Sequence, residues 1–431
     1  MSLAFHASPP PGEWLNDPNG LVHADGQWRL FVQHRADAPA FRATGWARLS
    51  SPDLLNWTWD GPVIVPDGDD WAYSGSVQRD GADLAATYTV HDAATGLERQ
   101  VRRVSADAGA TWSAAEPLIA AAHNRRDPFV FDGSAAMLLA CPCDWNDPDT
   151  ASHVAIWRCR DGVWSETGRI GPWHPPGVMW EVPVIVEVDG RDVLLISTID
   201  RRGGGADCAV HAWAGRLGPD GFARDPGSCR EGQRLDLGPD FYAAMAVDGE
   251  PLIVGWLSSW ATAATFAWPG FAGGIIGLPR RLSLSGGQMR QHVALPINAF
   301  SIPVPDTPVA GRGLVTLDGA AAFTLAIGGA QAAATITADP RDGTLTVERI
   351  GAAPLQWRQS HAGSIAPCPL RTLTLFVDGP AIELFIAPDG AAVSIAMPVG
   401  DAPLTIACHA AGVDHRVEWN VRPTPMSGGS K

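Results

Sequence analysis

The chain has 431 residues, of which 46% are hydrophobic and 18% charged, and this composition fits a folded globular protein and excludes a disordered one. The formal net charge is −15 and no stretch is rich in Lys and Arg, which argues against a nucleic-acid partner, because phosphate backbones are bound by clustered basic residues. No apolar run approaches the length that spans a bilayer. A chain of this length predicts two domains.

The strand pattern begins near the N-terminus and continues to the end of the chain. Short runs rich in Val, Ile, Leu, Trp and Thr alternate with Gly, Pro, Asp and Asn, for example at 28–33, 85–90, 129–131, 193–198 and 252–257. This pattern predicts an all-β fold of short antiparallel strands. Segments 51–57 and 105–112 share a Ser-x-Asp turn that ends on Trp, with Asp53 and Asp107 54 positions apart. That spacing holds about four strands, so we expect a propeller of five four-stranded blades.

The second part of the chain has a different composition. Sixteen of the 18 tryptophans precede residue 270, and segment 296–312 is rich in proline. Beyond it, alternating segments at 314–327, 332–337, 343–349, 371–377, 381–386 and 391–398 predict a β-sandwich. We therefore expect a propeller at 1–295, a linker at 296–312, a β-sandwich at 313–425 and a disordered tail at 426–431.

The seven cysteines are scattered and odd in number, and Cys141-Pro142-Cys143 lacks the ligand spacing of a zinc site. We expect buried free thiols, no metal and no other cofactor. Free thiols favour a reducing compartment, and the N-terminus lacks a basic segment followed by an apolar one. These features predict a cytoplasmic protein, or a periplasmic or secreted one if a leader has been removed.

Three carboxylates stand in distinctive local sequences. Residues 14–20 read Trp-Leu-Asn-Asp-Pro-Asn-Gly, which predicts a tight turn that presents Asp17. Asp127 lies between Arg126 and a proline, and Glu181 follows Trp180 at the head of an apolar strand. Each has a simpler interpretation: a surface turn for Asp17, an ion pair with Arg126 for Asp127, and a solvent-facing acid on an edge strand for Glu181.

Together the three acids suggest glycosyl transfer. Breaking an acetal requires one acid to protonate the leaving oxygen and a second carboxylate to attack the anomeric carbon or to activate water. An apolar wall keeps an acid protonated near neutrality, and Trp180 and Val182 could supply it beside Glu181. The nucleophile must stay ionised, which suits Asp17 in a polar, Asn-rich turn.

These residues resemble a known family. The 14–20 segment, Arg126-Asp127-Pro128 and Trp180-Glu181 are similar to the signature blocks of glycoside hydrolase family 32, which contains invertases, levanases and inulinases. Further blocks follow in the family's order at 31–33, 74–76, 238–243, 255–260, 278–280, 375–378 and 382–385. The resemblance implies a five-bladed β-propeller with a central funnel, then a C-terminal β-sandwich, and a retaining mechanism without metal.

The resemblance also implies residue roles. Asp17 would be the nucleophile that attacks C2 of a fructofuranosyl unit, Glu181 the general acid and then the general base, and Asp127 the residue that holds two ring hydroxyls. The residues expected to contact the sugar are Asn16, Gln33, Trp46, Ser74, Arg126, Tyr242 and Trp268. Trp46 is the weaker match, Tyr242 could equally be a packing residue, and Phe271 competes with Trp268.

The chain departs from the family in three places. Val182 replaces the usual Cys after the acid, so the pH optimum is expected to differ. Segment 35–42 lacks the usual Asn-Pro stretch, which is expected to reshape the pocket entrance. The aromatic residue before Leu278-Pro279-Arg280 is hard to assign. The last two differences bear on substrate identity more than on reaction type.

We therefore expect a retaining hydrolase that releases fructose from β-fructofuranosides of the fructan or sucrose type. The alternatives are a fructosyltransferase and a fructoside-binding propeller without activity. Residues 105–112 also fit a sialidase box. Sialidases use a Tyr nucleophile and three Arg residues that bind a carboxylate substrate, and a chain with three tyrosines and a net negative charge suits that chemistry poorly. We therefore interpret the box as a structural turn. In an inverting arabinanase-type enzyme Asp17 and Glu181 would lie more than about 6.5 Å apart, against about 5 Å for retention.

Overall fold

The computed structural model describes residues 3–36, 44–262, 274–295, 310–397, 404–410 and 419–421, except positions 69, 145, 148, 204, 248, 330–331, 354 and 363–364. Within these residues the chain forms strands, turns and loops and no helix, which confirms the all-β prediction. It follows that none of the described segments is a helix suited to crossing a membrane. Trp268, Phe271, most of the predicted linker and the predicted tail lie outside the described residues.

The described residues up to 293 form five sheets, each built from antiparallel strands that follow one another in the chain. The first contains β1 (Trp14–Ala24), β2 (Gln27–Arg35), β3 (Gly45–Ser51) and β4 (Thr58–Ile64). The second contains β5 (Asp70–Asp80), β6 (Asp83–Asp92), β7 (Glu98–Ser105) and β8 (Glu116–Ala122). The third contains β9 (Arg126–Phe131), β10 (Ala136–Cys141), β11 (His153–Arg160) and β12 (Val163–Ile170).

The fourth sheet contains β13 (Val178–Val188), β14 (Arg191–Asp200), β15 (Asp207–Leu217), β16 (Phe222–Arg224) and the short β17 (Gln233–Arg234), which pairs with β15. The fifth contains β18 (Tyr242–Ala246), β19 (Leu252–Trp256), β20 (Arg280–Ser285) and β21 (Gln288–Val293). Several neighbouring antiparallel strands, such as β1 and β2 or β13 and β14, are joined by tight two-residue turns, whereas β19 and β20 are separated by a longer segment.

The first strands of the five sheets, β1, β5, β9, β13 and β18, contact one another in a closed ring. Strand β1 touches both β5 and β18, and a parallel bridge between Leu21 and Val247 joins the two ends of the ring. Large apolar side chains fill the space between neighbouring sheets, and Trp46, Trp180 and Trp213 are all fully buried there. The ring surrounds one axis, and we call these five strands the inner strands.

The sequence repeat falls at equivalent places in successive sheets. Residues 51–57 connect β3 to β4, and residues 105–112 connect β7 to β8. In both connections a serine hydroxyl donates to the aspartate two residues later, at 3.2 Å for Asp53 and 2.7 Å for Asp107. Asp107 also accepts from the backbone and the hydroxyl of Thr111. The box is thus a structural turn, as predicted.

In the second part of the chain, the described residues form two further sheets. One has the order β22 (Ala310–Asp318), β27 (Leu370–Asp378), β28 (Ala381–Ala387) and β29 (Ala391–Ala396). The other has the order β26 (Trp357–Ala362), β25 (Thr344–Gly351), β24 (Ala332–Asp339), β23 (Phe323–Gly328), β30 (Leu404–Ala410) and β31 (Trp419–Val421). Leu317 and Leu373 of the first share a buried cluster with Ile336 and Ile406 of the second. Strand β22 begins inside the predicted linker.

A buried polar network joins the first five sheets to the last two. Glu383 accepts from Arg280 at 2.8 Å and contacts His6 at 2.9 Å, and His6 also contacts Asp378 at 3.1 Å. Arg280 reaches Asp236 at 2.8 Å, and all five side chains are at most 2% exposed. Because each buried charge has an opposite partner, the desolvation of these groups is compensated.

None of the seven cysteines forms a disulfide. Only Cys143, Cys208 and Cys408 are buried, so the expectation of buried thiols is wrong for the other four, which lie in half-buried or exposed positions.

Candidate active site

A cavity of about 550 Å³ lies beside the inner strands. It is lined by six of the predicted site residues: Asp17, Gln33, Ser74, Arg126, Asp127 and Glu181. These residues come from β1, β2, β5, β9 and β13, so four of the five sheets contribute to one site. The three carboxylates, which are far apart in the sequence, therefore meet in a single cavity.

Asp17 lies in strand β1, and the prediction of a tight turn is wrong. The strand continues through the Asn-Asp-Pro-Asn-Gly segment because the β1–β2 register shifts twice between Leu15 and Gly20. Such bulges accommodate Pro18, which has no N–H for the ladder. The Asn19 amide donates to the backbone oxygen of Asp17 at 3.2 Å and accepts from the N–H of Gly75 at 3.0 Å. The bulge thus fixes Asp17 against the second sheet.

The Asp17 carboxylate is buried and receives two hydrogen bonds. Ser74 donates its hydroxyl to Oδ2 at 2.7 Å, and the Asn16 amide donates to Oδ1 at 3.1 Å and also to Gln33. Burial raises the pKa of Asp17 to about 6, although the bonds from Ser74 and Asn16 lower it; the nearby Glu181 adds to the rise. Asp17 is therefore mostly ionised above about pH 6 and mostly neutral below it. The expectation that this residue stays ionised holds only above that pH.

Glu181 is held from both sides. Arg126 donates Nε and Nη2 to Oε1 at 3.2 and 2.8 Å, and the Tyr242 hydroxyl donates to Oε2 at 2.8 Å. The Glu181 side chain is 15% exposed, so the interpretation as a solvent-facing edge acid is wrong. Tyr242 is fully buried behind Glu181 and does not itself line the cavity.

The apolar wall predicted beside Glu181 is supplied by other residues. Successive side chains of a strand point to opposite faces, so Trp180 is directed into the core, where it packs against Trp213. Val182 is buried in the main core cluster. Met179 and Ile199 line the cavity instead. The local sequence thus identified the acid, but not its apolar neighbours.

Asp127 is fixed through the backbone of the neighbouring strand. Its Oδ2 accepts the N–H of Val182 at 3.0 Å, and its own N–H donates to Thr89 at 3.0 Å. The guanidinium of Arg126 pairs with Glu181 and Glu98, so the simpler interpretation of Asp127 as its ion-pair partner is wrong. Burial raises the pKa of Asp127 well above its usual value, opposed by the charge of Arg126 and reinforced by Glu181.

Every inner strand is irregular at or near the cavity. The ladder shifts register in β1, β5, β9, β13 and β18. These shifts lie at or beside Asp17, Ser74, Asp127, Glu181 and Tyr242. Asp127, Val182 and Ala243 have φ values of 57°, 47° and 50°, which are unfavourable for residues with a Cβ. Strain of this kind is typical of functional sites, and here it turns side chains towards one point.

Two further predicted residues, Trp46 and Asn16, do not line the cavity. Trp46 is buried between the first two sheets, where it donates to the backbone oxygen of Tyr73 at 3.1 Å and packs on Tyr88. It does not line the cavity, so the expected sugar contact is corrected to a packing role. Trp268 lies outside the described residues. Asn16 is fully buried behind Asp17 and Gln33, so it acts through them.

Sequence reasoning missed several cavity residues, among them Tyr73, His91, Glu98, Arg201 and Trp260. Tyr73 adjoins the Ser-Gly-Ser block, and Trp260 ends the 255–260 block, so both had a signal nearby. Glu98 begins strand β7, outside every motif, and nothing in its local sequence distinguishes it. Within the described residues, no group of three or more His, Cys, Asp or Glu side chains is arranged to hold a metal ion.

A family model described as the glycosyl hydrolases family 32 N-terminal domain matches residues 6–293, which include all three carboxylates. The chain belongs to glycosyl hydrolase family 32. This confirms the resemblance drawn from the sequence blocks.

Among curated relatives, an extracellular exo-inulinase of Aspergillus awamori is 27% identical over 375 residues, which cover 73% of this chain and 68% of that protein. A sucrose-6-phosphate hydrolase of Zymomonas mobilis is 29% identical over 309 residues, which cover 65% of this chain and 59% of that protein. The matched part thus spans 59–68% of the length of these two relatives.

Solved structures share the fold. The β-fructofuranosidase of Schwanniomyces occidentalis, complexed with fructosyl-erythritol, superposes with a TM-score of 0.77 at 18% identity, over 98% of this chain and 95% of that one.

Proposed function

We propose that this family 32 chain is a retaining glycoside hydrolase that releases fructose from β-fructofuranosides of the sucrose or fructan type. The observation that carries the proposal is the meeting of Asp17, Asp127 and Glu181 in one cavity. Relatives named exo-inulinase and sucrose-6-phosphate hydrolase support a fructosyl substrate.

The proposed reaction has two steps. First, Glu181 gives its proton to the glycosidic oxygen while the Asp17 carboxylate attacks C2, so the C2–oxygen bond breaks and a fructosyl ester of Asp17 forms. Then Glu181, now a carboxylate, takes a proton from water as that water attacks C2, and the ester bond to Asp17 breaks. Fructose leaves and both acids return to their starting states.

The surrounding side chains fit these roles. Ser74 and Asn16 orient the Asp17 oxygens, which preserves one geometry for attack. One oxygen of Asp127 is held by a backbone N–H, and we assign the other to the ring hydroxyls. Arg126 and Tyr242 stabilise Glu181 when it is a carboxylate, as it is between the two steps.

The fold supports a finer architectural proposal. The closed ring of inner strands supports a five-bladed propeller within 1–295, and the shared core of the last two sheets supports a β-sandwich within 313–425. Because β22 already begins at Ala310, we shorten the proposed linker from 296–312 to 296–309. A tail at 426–431 and a cytoplasmic location remain proposals.

A fructosyltransferase uses the same two steps with a sugar in place of water, and it remains the second candidate. Incubation with sucrose, levan, inulin and a short fructo-oligosaccharide, followed by separation of products, distinguishes the two. Free fructose indicates hydrolysis, whereas longer or cyclic products indicate transfer.

The decisive test compares Asp17→Ala and Glu181→Ala with Glu187→Ala, an exposed acid on the same strand β13 as Glu181. We expect the first two to lose three or more orders of magnitude in kcat, as loss of a nucleophile or acid does in comparable enzymes. Glu187→Ala should keep full activity. Near-normal fructose release by either site variant would overturn the assignment, and an inverted product in early NMR spectra would replace retention by inversion.

A further inference from the structure

Glu98 is a buried carboxylate in the cavity for which the two-step reaction has no role. It begins strand β7 of the second sheet, and its side chain is 4% exposed. Oε1 accepts from Arg126 Nη1 at 3.3 Å, and Oε2 accepts the backbone N–H of Arg125 at 2.7 Å. The His91 imidazole, which stacks on Tyr73, lies 3.8 Å from Oε1. Glu98 is therefore held in place from three directions.

Arg126 lies between two carboxylates. Its Nη1 reaches Glu98, while Nε and Nη2 reach Oε1 of Glu181. One guanidinium carries one positive charge, so Glu98 and Glu181 compete for it. A carboxyl that faced Arg126 alone would strongly favour the ionised form, yet the first chemical step requires Glu181 to carry a proton.

We propose that Glu98 is a positioning residue that orients Arg126 and offsets its charge, so that Glu181 can hold the proton needed for the first step. This inference rests on the proposed function, in which Glu181 is the general acid. In this proposal the protonation of Glu181 depends on Glu98, a residue of the second sheet that acts on Glu181 through Arg126.

The charge state of Glu98 fits this role. Burial would raise its pKa, but His91, the charge of Arg126 and the N–H of Arg125 together lower the pKa below its usual value. Glu98 is thus an anion throughout the neutral range. Its negative charge acts on Glu181 through Arg126, at a site where little water screens it.

Several other titratable or charged groups face Glu98 and Glu181. Those on the packed strands are Asp17 of β1, Tyr73 of β5, His91 of β6, Asp127 of β9, Cys208 of β15 and Tyr242 of β18. Arg35 and Arg201 also line the cavity. Arg126 and Tyr242 both donate to the Glu181 carboxyl, and of these two Arg126 carries the positive charge. Removing the charge of Glu98, the second partner of Arg126, is therefore the most direct way to change how readily Glu181 holds its proton.

The test is Glu98→Gln, whose amide oxygen can still accept from Arg125 and Arg126 while the charge is removed. We expect the alkaline limb of the kcat/KM profile on sucrose or inulin to move by about one unit to lower pH, which lowers kcat/KM roughly tenfold above the optimum. β-Fructofuranosyl fluoride needs little protonation on departure, so its hydrolysis should change less than about twofold.

Two variants serve as comparisons. Tyr242→Phe removes a donor from the same carboxyl, so its alkaline limb should move to higher pH. Glu98→Asp keeps the charge but withdraws it from Arg126, so the limb should move in the same direction as in Glu98→Gln but by less. Glu98→Asp also provides the measurement if Glu98→Gln does not fold.

An unchanged alkaline limb in the folded Glu98 variant would overturn the proposal, and so would equal losses on the fluoride and on natural substrates. Failure of the proposed function would look different: Glu181→Gln would then keep its hydrolysis of natural fructosides. Glu98→Gln with a shifted limb and Glu181→Gln without activity on those substrates would support both.

Discussion

The Asp17 carboxylate shows how a single residue limits the working pH of the site. Burial favours the neutral acid, whereas the hydrogen bonds from Ser74 and Asn16 favour the anion. The result is a pKa of about 6, above the usual value for an aspartate. In the proposed mechanism Asp17 attacks as the anion, so we expect this balance to set the acid side of the activity profile.

We predict that kcat/KM falls below pH 6 as Asp17 takes up a proton, following its pKa of about 6. Ser74→Ala removes a donor that stabilises the anion, so the acid limb should move to higher pH, by up to about one unit for one strong bond. The measurement is the pH dependence of kcat/KM for both proteins. Ser76→Ala is the control, because that hydroxyl accepts from Val130; an acid limb that stays in place in Ser74→Ala would contradict the prediction.

At the scale of elements, the bulges in the inner strands explain why the site was only partly predictable. Proline, asparagine and glycine at 16–20 predict a turn when read locally. In the fold, the neighbouring strands and Asn19 provide partners for the irregular backbone, so the same residues form a bulged strand. The motif therefore identified Asp17, but its conformation depends on sheets that are distant in the sequence.

Gly20 tests the importance of the first bulge. Its φ is +149°, and a Cβ there would lie 2.8 Å from the Cβ and 3.0 Å from the backbone nitrogen of Val77. Gly20→Ala should therefore lower the free energy of unfolding by about 2–4 kcal/mol and reduce kcat by displacing Asp17. Gly203→Ala, where a Cβ meets open space, is the matched control. Calorimetry and activity assays measure both effects, and equal melting temperatures for the two variants would refute the prediction.

Other elements show the limits of short motifs. The blocks Arg126-Asp127-Pro128 and Trp180-Glu181 correctly placed Asp127 and Glu181 in the cavity. The shorter match around Trp46 identified a residue that packs between sheets instead. Glu98 has no motif, because the role that we propose for it depends on its contact with Arg126, which is 28 positions away and on another sheet. A contact of this kind follows from the arrangement of strands and not from the local sequence.

At the scale of the whole molecule, the two parts of the chain are joined by charges as well as by apolar packing. The family block at 375–385 supplied Asp378 and Glu383, and the structure shows that they bind His6 and Arg280 of the first part. Burial lowers the pKa of His6, but the two carboxylates more than compensate and raise the pKa to about 9. His6 is therefore protonated at neutral pH.

This pKa predicts a pH-dependent stability. Because the folded value is above the unfolded value of about 6.5, the contribution of His6 is complete below about pH 6.5 and is lost as the pH rises through 9. The shift corresponds to a contribution on the order of 3 kcal/mol. His6→Gln should lower the melting temperature most at pH 6 and little above pH 9.5.

Calorimetry at pH 6, 7.5 and 9.5 measures this dependence, with His23→Gln, an exposed position, as the control. A difference between wild type and His6→Gln that stays constant with pH would show that the network contributes only through packing.

The closed ring of inner strands also has a consequence for biosynthesis. Asp17 is translated before Tyr242, which completes the support of Glu181 and belongs to the last sheet of the ring. The ring of inner strands closes only when β1 contacts β18. A nascent chain therefore lacks the complete candidate site until β18 has been translated, and we expect it to be inactive until then.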